Sequence, residues 1–130
     1  MKKFLSILLS IWITVSLTGC FYSSIGDSPS INANQSALYE ISDDIDMVVD
    51  YNSYLGYSAE IKGKLTNISN KAFSYISVTF AIFDENGNQI ETALDNMNYL
   101  QAGNSWMFTA TMLWTELEPK SCKLVDITII

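Results

Sequence analysis

Asp84, Asn86, Gly87 and Asn88 stand at D-x-N-G-N spacing, the way a calcium loop begins. An EF-hand loop needs a Gly at its sixth position, a bidentate Glu at its twelfth and a helix on each side. Counted from Asp84, Gly87 is fourth and Asp95 is twelfth, and the flanking residues alternate as strands do. The stretch therefore reads as a hairpin bend, whose Asn86, Gly87 and Asn88 tolerate positive φ. A second group of oxygen donors, Asp43, Asp44, Asp46 and Asp50, has the charge to hold a hard cation. Four carboxylates spaced along a strand also make a solvated outer face that discourages pairing with other chains, and this is the reading we adopt.

The remaining chemistry-bearing residues do not assemble into a catalytic set. The chain has no His, so the commonest general base is missing, and no Ser or Thr stands in a nucleophile elbow. Glu116 and Glu118 flank Leu117 just before Pro119, in what reads as a solvated loop. Of the five Met residues, whose thioethers would suit Cu(I), Met47 and Met112 fall on apolar faces and Met97 and Met107 are isolated. A non-catalytic protein without a metal or other cofactor is expected.

The N-terminus carries a different kind of chemistry. Lys2 and Lys3 precede an apolar run from Phe4 to Leu17, which ends in Leu17-Thr18-Gly19-Cys20. A charged start, a run of this length and a small-residue exit make a secretory signal. As a helix the run covers on the order of 21 Å, short of the roughly 30 Å hydrocarbon core. "LTGC" resembles the lipobox of bacterial lipoproteins. That resemblance implies a diacylglycerol on the Cys20 sulfur and cleavage before it, with residues 1–19 as signal peptide. At about 0.8 kcal/mol per buried methylene, two acyl chains anchor stably where one does not. The expected location is the extracytoplasmic face of the cell membrane. In such a protein the glycosylation sequons at Asn34 and Asn67 carry no weight. With the Cys20 sulfur taken by lipid, Cys122 becomes an odd cysteine and reads as a buried small hydrophobe.

Charge narrows the partners. The full chain has a formal charge of −7, and loss of Lys2 and Lys3 leaves five Lys against 14 Asp and Glu, a side-chain net of −9. Nucleic-acid binding draws on Lys and Arg to displace counterions, so this acidic, Arg-free chain excludes that class.

The elements that would position these residues are strands. From Cys20 to residue 38 the chain is rich in Ser, Asn, Gly and Pro and reads as a flexible tether. From residue 39 to 130 a period of two dominates, which marks half-buried strands. Ile45, Met47, Val49 and Tyr51 share one face, as do Ala59, Ile61, Gly63 and Leu65. Ile76, Val78, Phe80 and Ile82 follow on a central strand. A short strand is expected near Gln89 to Asp95. Trp106, Phe108, Ala110, Met112 and Trp114 share a face beyond it, then Val125, Ile127 and Ile129. About seven strands with regular turns and no amphipathic helix predict an all-β fold, an antiparallel β-sandwich.

The stretch from Ile61 to Phe108 resembles the FxLYD domain of bacterial exported and lipid-anchored proteins. "IKGKLTNISN" carries the apolar residue, Gly, Asn and Ser of the family's strand end. "VTFAIFDENGNQI" is similar to its signature, with Phe80, Ile82, Phe83 and Asp84 at the named positions, Ile for Leu and Phe for Tyr. "YLQAGNSWMF" resembles its final turn, with Ala102 where Pro is usual. The resemblance implies an immunoglobulin-like sandwich, and it implies framework positions rather than a site. The surface offers one uncharged outer face, formed by Tyr75, Ser77, Thr79, Phe83, Met107, Thr109 and Thr111, as a patch for a protein partner at the cell surface. The expected function is a membrane-anchored accessory or protein-binding module. The alternative is a lipoprotein that binds a solute or metal ion.

Overall fold

A computed structural model describes residues 38–130 of the chain. The expected signal peptide, the expected lipidation site Cys20 and nearly all of the expected tether lie outside the described residues. Seven strands follow in order: β1 (Tyr39–Ile41), β2 (Asp46–Asn52), β3 (Gly56–Asn67), β4 (Phe73–Phe83), β5 (Gln89–Leu100), β6 (Ser105–Thr115) and β7 (Ser121–Ile129). Every pairing is antiparallel, so the protein is all-β among the described residues.

Hydrogen bonding joins the strands into one curled sheet of order β1-β3-β6-β5-β4-β7, with β2 also paired to β3. β1 and β2 share one edge of β3: β1 pairs with Leu65–Asn67 and β2 with Gly56–Lys62. Alternation alone predicts two sheets covering each other; here the cover comes from the curl. The ring centroids of Phe80 on β4 and Phe108 on β6 lie 5.8 Å apart although β5 separates their strands. The bend falls between β5 and β6, where the only register pair is Leu94↔Thr111. Beside it the Asp95 carboxylate accepts the Thr109 backbone N–H at 2.8 Å, so a side chain stands in for a strand carbonyl.

The inward faces of β3, β4 and the first part of β6 follow the alternation. Ala59, Ile61 and Leu65, then Ile76, Val78, Phe80 and Ile82, then Trp106, Phe108, Ala110 and Met112 are all buried. Truncating a fully buried ring such as Phe80 to Ala would cost about 3–5 kcal/mol. Gly63 is also inward, and its missing side chain leaves room for the Phe108 ring.

Four expectations need correction. β5 runs to Leu100 rather than stopping near Asp95. Ile45, just before β2, and Met47 belong to the core, but Val49 and Tyr51 farther along β2 are exposed. A register shift between Tyr57↔Thr115 and Ala59↔Met112 places an extra residue in β6, and Trp114 is turned out, at 43% exposure. In β7 the pairs Thr79↔Asp126 and Phe80↔Leu124 leave Val125 as the extra residue. This bulge reverses the alternation, so Cys122 and Leu124 face inward before it and Ile127 after it.

Candidate functional site

The Asp84 loop is built as a turn. Asp84 Oδ1 accepts the backbone N–H groups of Asn86 and Asn88, each at 2.9 Å, and Asn88 Nδ2 reaches Oδ2 at 3.4 Å. The Asp84 N–H donates to the Asn88 carbonyl at 2.9 Å, and Gly87 takes φ 80°. Hydrogen bonds from Asn88 and Asn86 hold the Asp84 carboxyl below the ordinary carboxylate value. One of its oxygens is therefore occupied by the bend itself.

The acidic run is divided by the sheet. Asp46 is paired with Lys62 across β2 and β3, whereas Asp50 is paired with Ser58 near the hairpin end. Asp44 and Asp46 line a shallow groove of about 360 Å³ together with Ser42, Lys62, Lys64 and Met107. The groove thus mixes both signs of charge. No group of three His, Cys, Asp or Glu among the described residues is placed to hold a metal ion. Glu118 forms an exposed ion pair with Lys120 at 3.0 Å, which raises the Lys120 pKa.

The uncharged face foreseen from the sequence is only partly assembled. In an antiparallel sheet, paired residues project to the same side. The pairs Thr79↔Leu94 and Leu94↔Thr111 put these three residues in one row across β4, β5 and β6. Tyr75 pairs with Asn98 and Phe83 is opposite Gln89, so both lie along β4 away from that row. Met107 and Thr109 are opposite Lys64 and Lys62, which brings charge to the border of the face. Ser77 is buried and does not contribute.

Two features escape the sequence reading. Asn67 is fully buried, and its amide is completely used: Nδ2 donates to the Lys71 and Leu100 carbonyls at 2.8 and 3.0 Å, and Oδ1 accepts the Ser69 N–H and hydroxyl at 3.0 and 2.7 Å. Its backbone bonds to Asn104 and Gly103 tie the same residue to the β5–β6 turn. The N-x-S spacing is visible in sequence, but it points to a sequon rather than to this latch. The second feature is an apolar end. The β2–β3 turn, held by Asn52 Oδ1 accepting the N–H groups of Tyr54 and Leu55 at 2.8 and 3.1 Å, presents Tyr54 at 95% exposure. Tyr51 and Leu55 on the hairpin, and Leu113, Trp114 and Leu117 around the end of β6, are exposed as well.

Cys122 is buried, as expected.

The fold and these surfaces define an all-β module whose exposed chemistry is apolar and aromatic at one end and charged along β2 and β3. No family model, no curated protein and no solved structure matches the chain.

Proposed function

We propose that this is a lipid-anchored extracytoplasmic protein whose single FxLYD-like domain, an immunoglobulin-like sandwich, binds a protein partner without catalysis. The sandwich reading takes β1, β2, β3 and β6 as one layer and β5, β4 and β7 as the other, bent at the nearly open β5–β6 seam. It is supported by the lone Leu94↔Thr111 pair there and by the Phe80 to Phe108 contact across the interior. The anchor rests on the Leu17-Thr18-Gly19-Cys20 sequence after an apolar run.

The observation that carries the binding function is the apolar end. Tyr51, Tyr54, Leu55, Leu113, Trp114 and Leu117 are exposed around one hairpin and the neighbouring strand end. Large apolar side chains gathered in this way on a soluble surface mark interaction sites. The described chain begins at β1, which pairs with Leu65–Asn67, whereas the apolar end lies at Gly56. The length of β3 separates the two, on the order of 35 Å at about 3.3 Å per residue. An anchor at Cys20 leads into the end opposite the apolar one, which leaves the apolar end available to a partner away from the bilayer.

The charged groove beside Met107 supports the alternative, binding of a small solute or ion. Two measurements separate the readings. Photocrosslinkers at Tyr54 and Leu117 in intact cells capture a protein partner if the first holds. Thermal melts of the detergent-solubilised full chain against panels of metal ions and small solutes show a ligand-dependent rise if the second holds.

A further inference from the structure

We propose that the outer edge of β2 is a strand-docking site for an extended, basic segment of the partner. This inference rests on the protein-binding reading and names the surface and the chemistry of what it binds.

A strand at a sheet edge is a template for another strand, and proteins that avoid such pairing guard the edge with charged side chains, Pro, bulges or short strands. The two ends of this sheet are guarded differently. β7 is broken by the Val125 bulge. β2 is paired to β3 on one side, and no other strand among the described residues pairs with it. Its register to β3 is unbroken over seven residues from Asp46↔Lys62 to Asn52↔Gly56, and along it the Tyr51 N–H is taken by the Asp50 carboxylate at 2.9 Å, a contact an incoming strand would replace. It has no Pro, its charges are the carboxylates of Asp46 and Asp50, which hold off an acidic strand but not a basic one, and Val48, Val49 and Tyr51 are exposed along it.

The charge on β2 selects among occupants. Asp46, Val48 and Asp50 project to one side, opposite Lys62, Glu60 and Ser58 of β3, where Lys62 and Glu60 pair with each other at 3.3 Å and leave the two β2 carboxylates as the net charge of this face. Val48, Val49, Asp50, Ser58 and Glu60 line a depression of about 260 Å³. A second copy pairing β2 with β2 about Val48 would set Asp46 against Asp50 in both halves of the contact, and like charges directly opposite destabilise a strand pair. An incoming strand with Lys or Arg two residues before and two residues after an apolar residue meets the opposite situation. Its cations face Asp46 and Asp50, its apolar side chain lies against Val48, and its backbone completes the ladder. Tyr51 and Tyr57, with ring centroids 4.8 Å apart, add aromatic faces where the ladder ends and cations are favoured. Main-chain bonds supply affinity and the alternating side chains supply specificity, as in strand addition generally.

The test uses the full chain in detergent and, as probe, a capped ten-residue peptide built around Lys-Thr-Val-Thr-Lys, whose Lys, Val and Lys share one face of an extended strand. The expected result is saturable binding with slowed amide exchange confined to Asp46–Asn52 and the adjoining hairpin. Asp46→Lys with Asp50→Lys weakens binding at least tenfold while the melting temperature is retained. Glu40→Lys with Glu85→Lys, an equal change of net charge at exposed positions away from β2, leaves binding unchanged. N-methylation of alternate peptide residues abolishes binding. The proposal is overturned if the probe fails to bind, if both charge-reversed pairs weaken binding equally, or if exchange slows on β4 or β6 instead. A partner captured in cells whose crosslinks map away from β2 also overturns this assignment, and leaves the protein-binding reading standing.

Discussion

Gly63 on β3 and Phe108 on β6 are register partners, and the ring of Phe108 occupies the space a side chain at Gly63 would need. An ideal Cβ on Gly63 would come within 3.0 Å of Phe108 Cε1 and closer still to Cζ. Phe108 is fixed in turn by the rings of Trp106 and Phe80, each with its centroid 5.8 Å away, so it has little room to withdraw. Gly63→Ala therefore destabilises the domain by about 1–3 kcal/mol through overpacking, read from urea unfolding. Adding Phe108→Leu recovers part of that loss; a double variant no better than the sum of the single changes would refute the steric account.

Asn67 joins the β3–β4 turn to the end of β5. Asn67→Ala leaves the Leu100 and Lys71 carbonyls without their donor, at a cost of about 2–6 kcal/mol given roughly 1–3 per buried unsatisfied group. Asn67→Asp is at least as damaging, since it turns a carboxylate oxygen toward two carbonyls. Ser69→Ala is milder, because Asn67 Oδ1 keeps the Ser69 backbone N–H as a donor. The order of the three melting temperatures is the check.

Asp95 secures the bend. Asp95→Ala removes the acceptor of the Thr109 N–H at a place where only Leu94↔Thr111 pairs the strands. The expected loss is about 1–3 kcal/mol, the range for hydrogen bonds to a charged group. Faster amide exchange should centre on Thr109 and Leu94; uniform acceleration over the whole sheet would mean that the seam is not a local weak point.

Asp84 imposes a pH dependence whose sign follows from its hydrogen bonds. Its folded pKa lies below the unfolded value of about 3.9, so its contribution is complete above that value and is lost as pH falls through the folded pKa. Stability measured between about pH 6 and pH 2 should therefore decline on the acid side. Asp84→Asn keeps an Oδ1 acceptor for the Asn86 and Asn88 N–H groups while removing the titration, and flattens part of that decline. An unchanged acid slope in Asp84→Asn would show that other carboxylates account for it.

The proposed anchor and the cysteine chemistry meet at Cys20. The chain has two cysteines, so lipid on the Cys20 sulfur and a disulfide to that sulfur exclude each other. Mass spectrometry of the membrane-extracted protein should find a diacylglycerol-modified peptide beginning at Cys20, and Cys20→Ala should release the protein from membranes. A disulfide-linked peptide pair containing Cys122 and an unlipidated Cys20 would instead sink the anchor.

Alternation along single strands, together with turn residues between them, was enough to determine the all-β class and the inward faces of β3, β4 and most of β6. Ile61, Val78 and Phe108 show this: a period of two is a local property of an extended backbone, legible wherever one face is apolar. The Asp84 bend was legible for the same reason, since Asp, Asn and Gly within five residues bond to one another. The strand order, the curl at β5–β6 and the bulges at Val125 and near Trp114 were decided by the tertiary structure. Each depends on pairing between distant segments, and one inserted residue reverses every side chain beyond it. Asn67 became a latch only when the Leu100 carbonyl, 33 residues away, was folded against its amide. The open edge of β2 likewise exists because β2 lies at the rim of the sheet, with β3 on its paired side and no strand of the described residues on the other. Sequence alone displays its carboxylates and valines, but which edge remains unpaired is a property of the assembled sheet.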